Sequence, residues 1–393
     1  MSEWRKCTLG DVLQLQRGHD LTATERRPGT IPIIGSSGLH GFHDKALAPA
    51  PGVTVGRSGS IGGVHFVEEP FWPHNTVLYV KDFKGNDPRF VAYLLKTLPL
   101  AELNSGSAQP SLNRNFLHPL PVTVPSPFAQ RRIASILGAY DDLIEVNRRR
   151  IAVLEAMARN LFEEWFVRFR FPGHEGVEIV ETPDGISPKS WGIGSASDII
   201  QFDPRTKVSP TGEKPFIDMG SLDTATSIIA GFAWRSGNSG SKFMNGDTLF
   251  ARITPCLQNG KTGIVRYLPS EGGVGFGSTE FIVMRPGRAG SAFIYCLARH
   301  ERFRSYAEGG MAGASGRQRA RTESVASFPI SIAAPDSELY DAFERAAWPM
   351  LELVGELGAA NESLAAARDL LLPRLISGEL SVAAAERELE DAA

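Results

Sequence analysis

Three stretches of the chain hold residue types that could do chemistry. Asn259-Gly260-Lys261-Thr262 has the order that closes a phosphate-cradling loop, but Pro255 stands where that loop needs its first glycine. Proline has no N–H to offer a phosphate, so the sequence argues against nucleotide binding. Gly56-Arg57-Ser58-Gly59-Ser60 approaches a nucleophile elbow, yet the last glycine is missing and no Asp and His follow at a persuasive spacing. His40 and His43 sit three apart in a glycine-rich loop without Cys or carboxylate partners, which favours a polar loop over a metal site. No glycine-rich turn from strand to helix suggests a bound methyl donor or dinucleotide. Neither a catalytic nor a metal-ligating residue is expected.

What remains is a set of polar loops that carry arginine. In the first half these hold Arg17 and His19, then Ser37, His40 and His43, then Arg57 and Ser58, His74, and finally Asn113, Arg114 and Asn115. In the second half they hold Arg205 and Lys207, then Arg252 and Thr254, then Gln258, Asn259 and Lys261, then Arg317, Gln318, Arg319 and Arg321. Arg is suited to guanine and Asn to adenine, and both reach phosphates, so the set reads as candidate DNA contacts. Taken singly, most of these glycines serve turns and most of the arginines serve surface ion pairs. Only the duplicated set favours recognition.

The elements that must position these loops are written twice. Trp4, Thr8, Asp11, Val12 and Gln14 open one pass, and Trp191, Ser195, Asp198, Ile199 and Gln201 open another in the same order. Each pass runs through short β-branched runs between Gly and Pro breakers to a Pro-bounded strand, Leu120 to Pro125 or Phe328 to Ile332. One shorter helix is expected per half, Arg89 to Thr97 and Ser291 to Tyr306. Each pass then ends in a long helix with a heptad seam. The first seam holds Ile133, Leu137, Tyr140, Ile144, Ile151, Leu154 and Leu161, with Asn147 as its polar position. The second holds Val354, Leu357, Leu364 and Leu371, with Asn361 and Arg368 polar, and Pro349 marks a kink or a start.

These patterns predict an α+β fold with an internal pseudo-two-fold repeat. Two mixed, strand-rich domains, 1–127 and 191–335, are held apart by two long helices, 128–170 and 336–380, pairing as an antiparallel coiled coil. A Pro- and Gly-rich linker, 171–190, restarts the chain, and 381–393 is an acidic tail. Residues 191–335 carry 16 Lys and Arg against 11 Asp and Glu, whereas residues 336–393 carry 4 against 13. A basic globular part favours a polyanion such as DNA. Cys7, Cys256 and Cys296 are odd in number and far apart, which points to reduced thiols. The start lacks a basic and apolar leader, and no apolar run nears the roughly 18 residues of a membrane span, so a cytoplasmic location without membrane contact is expected.

The chain resembles the DNA specificity subunits of type I restriction-modification systems over nearly its full length. The resemblance rests on the paired starts at Trp4 and at Pro188-Lys189-Ser190-Trp191, and on the Pro- and Gln-bearing start of the first helix, Pro127 to Arg131. Further marks are Leu161-Phe162-Glu163-Glu164-Trp165-Phe166 and Leu371 to Leu380 at the two helix ends. Arg17 to Leu21, Gly52 to Arg57 and Asn113-Arg114-Asn115 resemble one class of target-recognition domain. The second helix departs from the pattern, since Pro335-Asp336-Ser337-Glu338 lacks the Gln. The resemblance implies a non-catalytic subunit whose two domains each read half of a bipartite double-stranded DNA site across a spacer set by the helices. It also implies two methyltransferase subunits docked on the helices and restriction (motor-nuclease) subunits joining them. No cofactor is expected in this chain, while S-adenosylmethionine, ATP and Mg are expected on the partner subunits. A coiled-coil scaffold without DNA contact and a self-contained nucleotide-binding hydrolase are the alternatives.

Overall fold

Each half of the chain opens with the same local device. The Thr8 backbone N–H and hydroxyl both donate to the Asp11 carboxylate, at 2.9 and 2.7 Å. Those of Ser195 both reach Asp198, at 2.8 and 3.1 Å. Each is a capping box that starts one short helical turn. The structure is a computed structural model that describes residues 4–103, 111–182, 185–313 and 318–392. Arg317 lies outside the described residues. The chain divides into two units, Met1–Ile144 with Glu362–Ala393, and Glu145–Asn361.

The strands of the first unit are β1 (Arg5–Thr8), β2 (Gln14–Arg17), β3 (Ile31–Gly35), β4 (Gly38–His43), β5 (Gly52–Gly56), β6 (Val64–Val67), β7 (Trp72–Pro73), β8 (Val77–Asp82) and β9 (Pro121–Val124). Its short helices are α1 (Leu9–Val12), α2 (Pro88–Thr97) and α3 (Arg114–Leu117), and α4 (Pro127–Phe162) begins in it. Strand β1 pairs with β9, an antiparallel sheet runs β2-β8-β5-β6, and a third sheet runs β4-β3-β7 with β3 and β7 parallel. Asp87 caps α2 by accepting the Phe90 N–H at 2.9 Å, with Pro88 behind it in the first turn, where its missing donor costs nothing.

The second unit holds β10 (Ile179–Thr182), β11 (Gly185–Pro188), β12 (Gly192–Ser195), β13 (Ile200–Phe202), β14 (Glu213–Ile217), β15 (Ala233–Ser236) and β16 (Ser241–Met244). It continues with β17 (Thr248–Ala251), β18 (Thr262–Ile264), β19 (Val274–Gly277), β20 (Phe281–Pro286), β21 (Met311–Ala312), β22 (Arg319–Ala320) and β23 (Pro329–Ile332). Its sheets run β12-β23, β13-β20-β17-β18 and β15-β14-β19-β16, with β14 and β19 parallel, beside the pairs β10-β11 and β21-β22. Helices α5 (Ser291–Arg299), α6 (Glu301–Gly309) and α7 (Thr322–Ala326) complete it. The chain then runs through α8 (Leu339–Ser377) into α9 (Val382–Ala392).

Each unit buries its core against parts of the long helices. In the first, Leu9, Val55, Phe90 and Leu94 pack in one cluster with Ile133 and Leu137 of α4 and with Leu375 and Ile376 of α8. In the second, Phe250, Phe293 and Phe303 pack with Ala158 and Phe162 of α4 and with Phe343, Ala347 and Leu351 of α8. Every seam residue named above is buried or half-buried.

Several expected boundaries move. Helix α4 ends at Phe162 and passes into a wider π turn over Glu163–Val167 rather than continuing to 170. Pro349 neither starts nor ends α8, which begins ten residues earlier, because buried Phe343 and Ala347 already hold that first stretch against the core. The single helix expected over Ser291 to Tyr306 is two, broken at His300, which has extended backbone and pairs with Glu163 at 3.3 Å. Within the linker, β10 and β11 pair antiparallel. The acidic tail is helical, with Ala385 buried and Glu386 paired to Arg132, so it belongs to the first unit's packing.

Candidate nucleic-acid interface

In the first unit most of the expected loop residues gather around the β3-β4 turn. Thr76 ties the turn to its neighbours, accepting from the Ser36 N–H at 3.2 Å and bonding His74 Nδ1 at 3.1 Å, while the Arg57 N–H donates to the Thr76 carbonyl at 2.9 Å. The Arg57 guanidinium then donates to the Asn75 carbonyl and the Ser111 hydroxyl, at 3.3 and 3.2 Å. Asn75 bonds Asp20, which also pairs with Arg17 at 3.6 Å. Glycine is required where strands meet: a Cβ at Gly18 would sit 2.0 Å from the His74 carbonyl oxygen, and one at Gly56 2.0 Å from that of Ser60. Arg17, Ser37 and His40 are exposed on this face, and Arg57, Ser58 and His74 are half-buried.

Other first-unit residues have local duties. The Asn113 side chain caps α3 by accepting from the Asn115 N–H at 3.0 Å, which leaves exposed Arg114 and Asn115 to point outward. His19 lies between Trp72 and Tyr79. His43 is buried, accepts the Arg27 N–H at 3.1 Å and stacks edgewise on Trp72, so its side chain acts in packing rather than at the surface. Arg26, His65 and Asn75 join the face without having been expected from sequence. Arg26 donates to the His40 carbonyl at 3.0 Å, and His65 Nε2 lies 3.2 Å from the Ser36 carbonyl.

In the second unit Arg205, Lys207 and Arg252 line one groove together with Lys242, which the sequence reading missed. The groove's carboxylate, Asp203, is already engaged, accepting the Val283 N–H at 2.8 Å and the Thr322 hydroxyl at 2.7 Å. Four cations facing that single occupied carboxylate leave the groove positive. Arg252 is aimed by its Nε donating to the Ala320 carbonyl at 2.9 Å, and Thr254 and Gln318 bond one another through backbone and hydroxyl beside it. Lys261 is turned inward, its ammonium on the Met219 carbonyl at 2.6 Å. Arg319 is held by Glu280 at 2.6 Å. Gln258, Asn259 and Arg321 are exposed.

Polar networks fix both domains to the long helices. In the first unit Tyr93 of α2 donates to Asp141 of α4 at 2.6 Å, and Arg368 of α8 pairs with the same carboxylate. Burial works to raise the Asp141 pKa, but the Tyr93 hydroxyl and Arg368 outweigh it and hold the carboxyl below its ordinary range. In the second unit buried Glu155 of α4 accepts from the Tyr295 hydroxyl at 2.8 Å and the Ser227 N–H at 2.5 Å. The Gln missing from the start of the second helix has a counterpart further along. Gln130 accepts the Asp87 N–H at 3.0 Å at the start of α2, and Glu344 accepts the Ala292 N–H at 3.0 Å at the start of α5. Among the described residues no group of three or more His, Cys, Asp and Glu could hold a metal, and no helix is long and apolar enough to cross a membrane.

Residues 1–156 match the family described as the type I restriction modification DNA specificity domain. The type I restriction enzyme MjaIX specificity subunit of Methanocaldococcus jannaschii is 29% identical over 161 residues, which cover 40% of this chain and 37% of that protein. The EcoprrI specificity subunit of Escherichia coli is 27% identical over 164 residues, 40% of this chain and 41% of that protein. The chain thus matches about two fifths of the length of these curated relatives. The solved type I restriction-modification S subunit from M. genitalium shares the fold, with a TM-score of 0.61 at 16% identity over 95% of this chain and 96% of that one. The specificity-domain match takes in the residues of the first basic face and α4 as far as residue 156, so this part of the chain is similar to the DNA specificity domain of type I restriction-modification systems.

Proposed function

We propose that this chain is the sequence-reading, non-catalytic subunit of a type I restriction-modification complex, each unit's basic face reading one half of a bipartite double-stranded DNA site. In this reading α4 and α8 pair as an antiparallel coiled coil that sets the spacer between half-sites and docks two methyltransferase subunits. Restriction subunits complete the complex, and S-adenosylmethionine, ATP and Mg belong to those partners.

The observation that carries the reading is duplication of the scaffold beneath two separate basic faces. The order β2-β8-β5-β6 is repeated as β13-β20-β17-β18, and β4-β3-β7 as β15-β14-β19, with β16 added. The helix contacts also support it. Asp141 of α4 meets Arg368 of α8 in the first unit, and Asn147 meets Asn361 in the second, so rising numbers on one helix meet falling numbers on the other. Arg and Asn on turns held by glycine can reach base edges, while Lys207, Lys242 and Arg205 suit phosphates.

Methylation-sensitive sequencing of DNA modified by the complex reconstituted with its methyltransferase subunits tests this. The expected result is one modified motif made of two half-sites with a fixed non-specific gap. A single continuous motif, or failure of the chain to shift duplex DNA at low salt, overturns the reading in favour of a scaffold.

A further inference from the structure

We propose that His40 and His74 form a proton-linked site for DNA phosphate on the first recognition face, so that the first unit takes up protons when it binds while the second does not. The inference rests on the DNA-reading role above and assigns chemistry to one part of it.

The two imidazole rings lie 5.2 Å apart at the β3-β4 turn, His40 exposed and His74 half-buried. Their surroundings are cationic. Arg26 bonds the His40 carbonyl, and Arg57 and Arg17 stand on the adjoining loops. The carboxylate within electrostatic reach, Asp20, is shared between Arg17 and Asn75. His65 turns toward the Ser36 carbonyl, and His43 with Asp44 and Arg27 forms a separate buried group. Burial, then His40, then Arg26 lower the His74 pKa, with Asp20 opposing. In the free protein this ring is therefore neutral near pH 7, so the face carries less positive charge than its residue types allow.

A phosphate placed against the pair reverses the balance. It supplies the missing anion, the His74 ring takes one proton from solvent, and N–H groups of both rings donate to the phosphate oxygens. Each proton taken up adds up to about tenfold in affinity per unit fall in pH. The second unit's groove offers Arg205, Lys207, Lys242 and Arg252 and no histidine among its lining residues, so its binding gains no such term. The two half-sites are thereby weighted differently by pH.

The test uses the full chain and a fluorescent random-sequence duplex of about 40 base pairs, roughly four helical turns. Binding is followed by anisotropy at fixed ionic strength in phosphate-free buffer, from about one and a half pH units above to about half a unit below the ordinary histidine value of 6.5. Affinity should rise several-fold as pH falls, and His74→Gln should flatten that rise. Ring-proton titration of the unaltered chain should show the His74 midpoint moving up when duplex is added. A rise that survives His74→Gln, or a His74 midpoint that stays put, overturns the proton-linked site and leaves the DNA reading standing. No binding at any pH overturns the DNA reading itself.

Discussion

The side-chain amide of Asn147 donates to the side-chain oxygen of Asn361 at 3.0 Å, and each is a polar position in its own helix's apolar seam. The sequence offset that relates these two residues also relates Gln130 to Glu344 and Leu137 to Leu351. In the proposed reading the bond therefore joins equivalent residues of two repeats, as a local two-fold axis through the seam would require. A polar pair at such a position stabilises less than leucines would, and it disfavours slipped registers that leave the amides unpaired. Asn361→Leu alone should cost about 1–3 kcal/mol by stranding the buried Asn147 amide, whereas Leu at both positions should recover or exceed the original stability. Denaturant unfolding of the three chains checks this. Equal stability of the single variant would remove the pair's role in register.

The two long helices were legible because a helical apolar period survives in sequence whatever it packs against. The paired starts at Trp4 and Trp191 were legible for a similar reason, since a capping box is a local pattern. Glu344 was not legible, because it does the work of Gln130 from a different distance past its strand, and only the position of the α5 N-terminus reveals it. Lys242 and Arg26 also escaped notice. Nothing beside them in sequence marks a recognition loop, and each joins a basic face through strand neighbours far away in the chain. His43 errs the other way, since its residue type suits DNA while the β4 pleat turns it under Trp72.

Arg368, Asp141 and Tyr93 tie the first domain to both long helices, and their contribution should fade in acid. The folded-state pKa of Asp141 is depressed, so the stability it adds is present above its ordinary value of 3.8 and is lost as pH falls through the lower folded value. Arg368→Gln should destabilise the chain by about 1.5–3 kcal/mol at neutral pH, the worth of a charge-assisted hydrogen bond. That difference should shrink once pH drops below 3.8. Urea unfolding of both proteins across that range decides the matter, and a gap that stayed constant with pH would assign the loss to Arg368 packing instead.

Lys207 and Lys242 in the second-unit groove are point charges, suited to phosphate rather than to reading bases. Replacing either with Ala should weaken binding about equally across DNA sequences and lower the salt slope by about one. Arg252→Ala should instead cost about 1–3 kcal/mol at one base pair if its guanidinium reads an edge. A salt titration on matched and mismatched duplexes separates the two, and a base-specific loss at Lys242 would sink its assignment to phosphate.

If α4 and α8 set the spacer between half-sites, its length should follow theirs. One heptad inserted at matched positions in both helices adds about 10 Å at 1.5 Å per residue and preserves the seam period. Duplex DNA rises about 3.4 Å per base pair, so the preferred gap should grow by about three base pairs. The second half-site would also rotate by about a third of a turn, at roughly 10.5 base pairs per turn, so affinity should fall as the preference moves. Insertion into α4 alone, between Asp141 and Asn147, stops the Asp141–Arg368 and Asn147–Asn361 pairs from forming together, which should damage folding rather than shift the gap. Selection from a spacer-randomised library reads the preferred gap directly. A well-folded double insertion that still chose the original gap would show that something other than these helices measures the distance.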